Sequence, residues 1–193
     1  MTKKPIEKII LDLCGGTGAW SKPYRDAGYD VRLITLPMFD VTDPYVIESC
    51  ISLKPYGVLA APPCTEFSKA KTTAPRNFEE GMKTISACLE IIWGIQKIHK
   101  LQFWALENPE GLLRRFLGNP PYSFRQWWFG NDRNKPTDLW GRFNEPKRLF
   151  IEKPDYVVKS AHNRNADWYS NASAKTRAIT PEGFAKAFYQ ANK

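Results

Sequence analysis

Cysteine is scarce in this chain, and no two cysteines stand close together. The sequence has four, with no Cys-x-x-Cys spacing: Cys14, Cys50, Cys64 and Cys88. Zinc sites and the disulfide frameworks of small secreted proteins need closer or more numerous cysteines. We therefore expect no metal, no disulfide framework and a reducing compartment inside the cell.

Long apolar runs are also missing. No stretch approaches the roughly 20 apolar residues that span a bilayer. The opening residues, MTKKPIEKII, contain no apolar core of a signal peptide. The length of 193 residues suits one domain. We expect a single-domain monomer in the cytoplasm, without membrane contact.

Positive charge is unevenly distributed. Residues 1–110 carry 13 basic and 13 acidic side chains, whereas residues 111–193 carry 15 and 7 and account for the net charge of +8. A one-sided basic excess is typical of a nucleic-acid-binding surface. It also occurs on ordinary solvated surfaces, so charge alone leaves both interpretations open.

Strands and helices alternate over the first two thirds of the chain. Apolar strands are predicted at 8–13, 30–35, 57–61 and 103–107, and helices at 19–28, after Asp43-Pro44, at 78–100 and at 180–191 with Thr180 as its cap. After residue 110, aromatic, proline and basic residues alternate, which predicts irregular β structure along one edge. The whole pattern predicts an α/β fold with a doubly wound, mostly parallel sheet.

In a doubly wound sheet, ligands bind beyond the carboxyl ends of the strands. The segments at the predicted strand ends are Asp12–Gly18, Thr35–Asp40, Pro62–Ser68 and Glu107–Pro109. We expect all four segments to line one crevice.

The first segment lies in the sequence LDLCGGTGAW. Its glycines permit a tight turn, and the N-terminus of the helix behind them is predicted to offer N–H groups. Such turns bind NAD, FAD, nucleotides or S-adenosylmethionine (AdoMet), and some bind nothing. Asp12 favours AdoMet, because a carboxylate repels phosphate and attracts an amino group.

The third segment, APPCTEFSKA, places Cys64 directly after two prolines. A lone cysteine is more often a buried structural residue. The stiff proline turn and the polar residues after it argue against burial, and the nearby lysines favour a thiolate. Cys64 is therefore the candidate nucleophile, and the other three cysteines are interpreted as structural.

The fourth segment, ALENPEG, places Glu107 at the end of an apolar strand. Partial desolvation there would raise the pKa of Glu107 and suit it to donate or share a proton. A capping or surface glutamate is the alternative interpretation.

Together these segments resemble the DNA (cytosine-5) methyltransferase family. DLCGGTGAW is similar to the family's AdoMet loop, PPCTEFS to its proline-cysteine nucleophile loop, and Glu107-Asn108-Pro109 to its Glu-Asn-Val motif. Order and rough spacing agree over residues 8–117. The segments at 135–141 and 177–188 resemble a short, phage- or prophage-like branch, which implies a bacterial or phage-infected cell.

The resemblance implies a Rossmann-like class I methyltransferase fold, AdoMet as cofactor and double-stranded DNA as partner. It implies three catalytic residues: Cys64, Glu107 and Lys135, the last in place of an arginine that contacts the base. The residues expected to hold AdoMet are Asp12, Cys14, Gly15, Gly16, Thr17, Gly18, Trp20, Thr35, Leu36, Asp40, Val41 and Pro62. Those expected to contact DNA are Pro63, Ser68, Lys69, Lys71, Asn108, Arg133, Thr137, Arg142 and Arg164.

The chain departs from the family at two further places. Where the family has an acidic ribose-binding residue, this chain has Thr35 or Leu36, and the nearby Asp40 better resembles the residue that meets the adenine amino group. Between a core at 1–118 and a C-terminal helix at 177–193, only residues 119–176 remain for target recognition. HNRNADW, residues 162–168, is either a base-reading cluster or a surface loop, and we expect a short or relaxed target.

Three alternative functions remain open. An RNA cytosine methyltransferase would use the same chemistry. A catalytically inactive module would only bind AdoMet or DNA. A Rossmann oxidoreductase is disfavoured, because GGTG lacks the full dinucleotide spacing.

Overall fold

A computed structural model describes residues 6–157, 176 and 178–193 of the chain. The strands are β1 (Ile6–Leu13), β2 (Tyr29–Ile34), β3 (Gly57–Ala60), β4 (Phe103–Pro109), β5 (Tyr122–Arg125) and β6 (Pro136–Arg142). The helices are α1 (Lys22–Asp26), α2 (Pro44–Ser52), α3 (Phe78–Ile98), α4 (Arg114–Leu117) and α5 (Glu182–Ala191), with a short 3₁₀ helix at Gln126–Phe129.

The strands form one sheet in the order β2-β1-β3-β4-β6-β5. Strand β1 pairs in parallel with β2 and β3, and β3 pairs in parallel with β4. Strand β6 lies between β4 and β5 and is antiparallel to both. The predicted α/β fold with a mostly parallel, Rossmann-like sheet is confirmed.

Helices cover both faces of the sheet, because successive strand side chains point to opposite faces. In β1, Leu11 and Leu13 enter one core with α2 and α3, whereas Ile10 enters a second core with α1 and α5. Aromatic rings fill much of this second core, where Phe184 of α5 stacks on Phe124 with ring centroids 4.3 Å apart. The prediction of a doubly wound sheet is therefore confirmed.

Helix α1 is shorter than predicted. The helix expected at 19–28 covers only Lys22–Asp26, because the preceding residues form turns with positive φ at Cys14, Gly16 and Gly18. Pro23 lacks an N–H group and is tolerated in the first turn of a helix, which fits a start at Lys22. The predicted end is confirmed, since Gly28 has a φ of 97° just after the helix.

The C-terminal helix begins later than predicted. It starts at Glu182, and Pro181 occupies the capping position with extended backbone and no side-chain hydrogen bond. The prediction that Thr180 caps this helix is therefore wrong. The predicted cap of α2 is confirmed, because the Asp43 carboxylate accepts a hydrogen bond from the Tyr45 N–H at 2.8 Å.

The chain after residue 110 extends the sheet. Strands β5 and β6 confirm the expectation of β structure along one edge. Because β6 pairs with β4 and β5 pairs with β6, the predicted recognition region at 119–176 begins inside the central sheet.

None of the helices within 6–157 and 178–193 is long and apolar enough to cross a membrane. The same residues contain no group of three or more His, Cys, Asp or Glu side chains placed to hold a metal ion.

Candidate active site

The carboxyl ends of the four parallel strands meet at one edge of the sheet, as predicted. Neighbouring segments at this edge are joined by hydrogen bonds. The Cys14 N–H donates to the Ile34 carbonyl at 2.8 Å, and the side-chain amide of Asn108 donates to the Pro62 carbonyl at 3.1 Å. The edge is therefore continuous from the end of β2 to the end of β4.

The loop between β1 and α1 lies directly against the side chain of Asp12. A Cβ atom on Gly15 would come within 2.4 Å of the Asp12 carboxylate, so only glycine fits at this position. Gly16 has a φ of 56°, a conformation that glycine adopts at little cost. Gly16 and Thr17 are exposed. The loop therefore presents main chain to an approaching ligand.

Asp12 is a buried carboxylate with one unused acceptor. Its side chain is 0% exposed, and the Ser21 hydroxyl donates to one of its oxygens. The other oxygen, Oδ1, has no hydrogen-bond partner among the described residues. Burial raises the pKa of Asp12 to about 6, against the lowering effects of Ser21 and Arg25. A cationic amino group here would satisfy Oδ1 and favour the ionised carboxylate.

Replacing Asp12 with asparagine should stabilise the ligand-free protein at neutral pH. Asparagine keeps an oxygen for the Ser21 hydroxyl but carries no desolvated charge. In the unfolded chain, Asp12 loses its proton around pH 3.8. In the folded protein, Asp12 keeps this proton until the pH is near 6. The free energy of unfolding of the wild type therefore falls as pH rises through this window.

Above pH 6 the free energy of unfolding of Asp12→Asn should exceed that of the wild type by about 2–3 kcal/mol, since one pKa unit corresponds to ~1.4 kcal/mol. Thermal unfolding of wild type and Asp12→Asn, near pH 4 and at pH 8, measures this difference. The melting temperature of the variant should be higher at pH 8 and nearly unchanged near pH 4. The same difference at both pH values would show that Asp12 does not titrate in this way.

Two residues predicted to hold the cofactor have their side chains in the cores. Trp20 is 1% exposed and packs edge-on against Phe188 of α5, with ring centroids 5.3 Å apart. Val41 is 5% exposed in the core beneath α2 and α3. The predicted N–H donors of the first helix are also displaced, because α1 has only five residues and begins at Lys22, beyond the loop.

The segment after β2 presents apolar side chains to solvent. Leu36 is 67% exposed and Met38 is 78% exposed, whereas Thr35 is half-buried. Asp40 accepts hydrogen bonds from the N–H and the hydroxyl of Thr42, at 2.9 and 2.8 Å, and these bonds lower the pKa of Asp40. An apolar surface and an ionised carboxylate therefore follow the strand that adjoins the β1–α1 loop.

Cys64 opens a tight turn after β3. Its carbonyl accepts hydrogen bonds from the N–H groups of Phe67 and Ser68, at 3.0 and 2.8 Å. Phe67 is fully buried and anchors the turn in the core, whereas Cys64 is half-buried and Pro63 is exposed. The prediction that Cys64 is not a buried core residue is confirmed.

Lys69 and Lys71, predicted to contact DNA, both take part in ion pairs. Lys69 Nζ lies 2.7 Å from Glu110 Oε1, and Lys71 Nζ lies 2.7 Å from both carboxylate oxygens of Glu66. The side chain of Lys69 remains 56% exposed, but that of Lys71 is only 20% exposed. Lys69 is therefore the more accessible of the two for a phosphate.

The turn at Cys64 and the end of β4 are closely joined. In addition to the bond from Asn108, which is 0% exposed, the Leu112 N–H donates to the Phe67 carbonyl at 2.8 Å. Ser68 pairs with Gly111 in an isolated β-bridge. A Cβ atom on Gly111 would lie 2.4 Å from the Phe67 carbonyl oxygen, so this approach requires glycine. Two of the segments singled out in the sequence therefore form one unit.

Glu107 lines a small cavity beside this unit. Lys135, Gln126 and Thr137 supply the other polar groups of the lining, so three residues with predicted roles come together there. Burial raises the pKa of Glu107; the charge of Lys135 opposes this effect, and the charge of Asp138 adds to it. The remaining lining is mostly apolar: Phe124, Ala178, Ile179, Thr180, Pro181 and Phe184.

Two polar residues of this cavity are almost completely buried. Thr137 is 1% exposed, and its hydroxyl has no hydrogen-bond partner among the described residues. Gln126 is 3% exposed. Because buried polar groups normally have partners, the Thr137 hydroxyl suits a polar atom that enters this cavity. Gln126 was not predicted, since only the pairing of β5 with β6 places it beside Glu107.

Comparison with known proteins identifies no family. No family model matches the chain, and no curated protein sequence matches it. A solved structure similar to it is the methyltransferase EhMeth of Entamoeba histolytica, with 12% sequence identity and a TM-score of 0.43. The match covers 81% of this chain and 58% of EhMeth. The chain therefore spans less than two thirds of the length of EhMeth.

Of the predicted DNA contacts that the structure describes, Thr137 alone is among the residues that line the Glu107 cavity. Arg142 pairs with Trp104 at the amino end of β4, and its guanidinium donates to the Leu101 carbonyl at the opposite edge of the sheet. Arg133 is half-buried in the turn before β6. Arg164, with the segment 162–168, lies outside the described residues.

Proposed function

We propose that the protein transfers a methyl group from AdoMet to carbon 5 of cytosine in DNA, through a covalent intermediate on Cys64. The observation that carries the proposal is the hydrogen bond from Asn108 to Pro62. It ties the turn that bears Cys64 to the residue next to Glu107. The likeness of these segments to the cytosine-5 methyltransferase family is the second support.

Cys64 supplies the nucleophile. Carbon 5 of cytosine is a poor nucleophile, but attack of the Cys64 thiolate at carbon 6 moves the electrons of the 5,6 double bond towards carbon 5. AdoMet, when bound, supplies the methyl group that carbon 5 takes up. A base, in the simplest case water, then removes the proton from carbon 5. The carbon–sulfur bond breaks, and Cys64 is released as the thiolate.

Glu107 supplies the proton. Attack at carbon 6 places negative charge on the ring, and a protonated Glu107 bonded to ring nitrogen 3 would stabilise that charge. Burial raises the pKa of Glu107 and so favours the protonated form that this role needs. Lys135 lines the same cavity and can contact the base.

The residues at the ends of β1 and β2 fit AdoMet. Asp12 Oδ1, which has no partner among the described residues, suits the amino group of the methionine part. Exposed Leu36 and Met38 suit the adenine ring, and Asp40 can accept from the adenine amino group. The space beside Gly16 is open to a ligand, because, apart from Gly16 and its two chain neighbours, no atom lies within 4 Å of the position that a Cβ atom would take.

AdoMet should therefore raise the melting temperature of the protein, whereas NAD should not. A ligand that binds only the folded state stabilises it, by about 2.7 kcal/mol at a hundred times its dissociation constant. Thermal unfolding with each compound at the same concentration measures the effect. A shift with NAD alone would favour the Rossmann oxidoreductase.

The target cytosine must leave the DNA duplex before it can react. Attack at carbon 6 requires access to a face of the ring, which stacking covers, so the base must flip out at a cost of a few kcal/mol. The excess positive charge of residues 111–193 and the exposed Lys69 beside the Cys64 turn can supply phosphate contacts.

DNA affinity should fall steeply as salt is added, because phosphate contacts release bound counterions. Arg133→Glu should weaken binding more than Lys54→Glu, since Arg133 precedes β6 near Lys135 and Lys54 lies before the amino end of β3. Fluorescence anisotropy at several salt concentrations measures both variants. Equal losses would show that the residues around Lys135 do not face DNA.

We also propose a short or relaxed target sequence. The described part of the recognition region contributes β5 and β6 to the sheet, which leaves few side chains for reading bases. One good bidentate contact supplies about 1–3 kcal/mol of discrimination, so a few side chains can specify only one or two neighbouring bases. Bisulfite sequencing of fully methylated DNA gives the target length, and a strict six-base site would contradict this expectation.

Methyl transfer from tritiated AdoMet tests the function. Duplex DNA, RNA of the same sequence and free cytidine nucleotides are offered separately, and the products are digested to nucleosides. The proposal expects label in 5-methyl-2′-deoxycytidine from DNA. Label from RNA alone would identify the RNA enzyme, and label on an exocyclic amine would contradict attack by Cys64.

A further inference from the structure

Arg76 braces the loop that follows Cys64. Its guanidinium donates to three main-chain carbonyls of that loop: Glu66 at 2.6 Å, Ser68 at 2.9 Å and Lys71 at 2.6 Å. Arg76 is itself half-buried. One side chain therefore binds three carbonyls between residues 66 and 71, just before the loop ends at α3.

The second half of the loop, residues 69–77, lies beyond the segment that Phe67 and the Ser68–Gly111 bridge attach to the core. Residues 69–77 form no pair with the central sheet, so their carbonyls depend on local partners. The Glu66 carboxylate closes the loop from the other side, because it accepts from Lys71 Nζ and from the Asn77 N–H, each at 2.7 Å. Arg76 and Glu66 thus hold both ends of one compact loop.

We propose that Arg76 is a positioning residue for Cys64, which fixes the thiol-bearing turn through the carbonyls of Glu66, Ser68 and Lys71. The inference rests on the proposed function. The Cys64 carbonyl accepts from the N–H groups of Phe67 and Ser68. Arg76 binds the Glu66 carbonyl, which belongs to the same peptide unit as the Phe67 N–H. It therefore fixes one of the two peptide units that bind the Cys64 carbonyl, and through the Ser68 carbonyl it fixes the unit that follows them.

The shape of the guanidinium matters more than its charge. Arginine offers five N–H donors in a rigid planar fork, whereas lysine offers a point charge on a flexible stem. An ammonium group cannot reproduce three carbonyl bonds in that fixed arrangement. Arg76→Lys therefore keeps the charge and removes the brace.

The first readout is turnover. Arg76→Lys should lower kcat about a hundredfold, the loss expected from a displacement of about 1 Å at a reacting group. Its KM for AdoMet should stay within about twofold, because the proposed AdoMet site lies at the other strand ends. Arg115→Lys makes the same exchange at an exposed position on α4 and should retain wild-type kcat.

The second readout does not require methyl transfer. Iodoacetamide alkylates Cys64 in the protein alone, and mass spectrometry of the peptide that contains Cys64 gives the rate. Because Cys64 is half-buried in a braced turn, release of the brace in Arg76→Lys should speed its alkylation. If the protein has no methyltransferase activity, the proposed function fails, but this rate still tests the brace.

Wild-type values of both kcat and the Cys64 alkylation rate in Arg76→Lys would overturn the proposal. An equal rise in KM for AdoMet and fall in kcat would also overturn it, since that result indicates general loss of structure. All rates are measured well below the melting temperature of each variant. If Arg76→Lys does not fold, Arg76→Gln, which offers a planar amide with two N–H donors, is compared in the same way.

Discussion

Cys64→Ser should reduce methyl transfer to background while the protein still folds and binds AdoMet. A serine hydroxyl is hardly ionised near neutral pH and cannot attack carbon 6 as a thiolate does. The fold should persist, because Cys64 is half-buried at a strand end and the buried Phe67 still anchors the turn. Initial rates with tritiated AdoMet and duplex DNA measure the loss.

Cys50→Ala provides the matched control for this variant. Cys50 is buried on α2, away from the Cys64 turn, so its replacement should affect stability more than turnover. An unchanged shift in melting temperature with AdoMet shows that Cys64→Ser keeps its cofactor site. Near-normal turnover in Cys64→Ser would show that Cys64 is not the nucleophile.

Glu107→Gln should lower the rate of methyl transfer by about 10²–10⁴, the range typical of a positioned acid or base. The amide keeps the shape of the side chain but has no acidic proton. The pKa of Glu107 is raised by burial, so a wild-type rate that depends on its protonated form should fall as pH rises through that pKa. Single-turnover rates measured across pH test both expectations.

Glu90→Gln serves as the comparison, since Glu90 is exposed on α3. It should leave the rate and its dependence on pH unchanged. In Glu107→Gln, the decline of rate with pH should disappear together with the titrating group. A loss smaller than about fivefold, far below the range for a positioned acid, would make Glu107 a structural residue only.

The parallel strands and the site segments were predictable because local sequence determines them. Alternating side chains and apolar runs fix the strands, and parallel strands bring their carboxyl ends to one edge whatever the loops do. Asp12, Cys64 and Glu107 could therefore be assigned to one edge of the sheet before the structure was known. The proline turn likewise predicted that Cys64 is not a core residue.

The sequence could not determine contacts that depend on distant packing. The ring of Trp20, a predicted cofactor residue, packs against α5, which lies far away in the sequence. Gln126 could not be assigned to the site, because its place beside Glu107 depends on the pairing of β5 with β6. The ion pairs of Lys69 and Lys71 with glutamates also depend on the folded loop.

Trapping of the covalent intermediate tests the central claim most directly. In DNA that contains 5-fluorocytosine, fluorine replaces the proton that must leave carbon 5, so the bond between Cys64 and carbon 6 should persist after methyl transfer. With AdoMet present, we predict a stable protein–DNA complex whose peptide digest carries methylated 5-fluorocytosine on Cys64. Methylation of ordinary DNA without such an adduct, or an adduct on another cysteine, would contradict the mechanism.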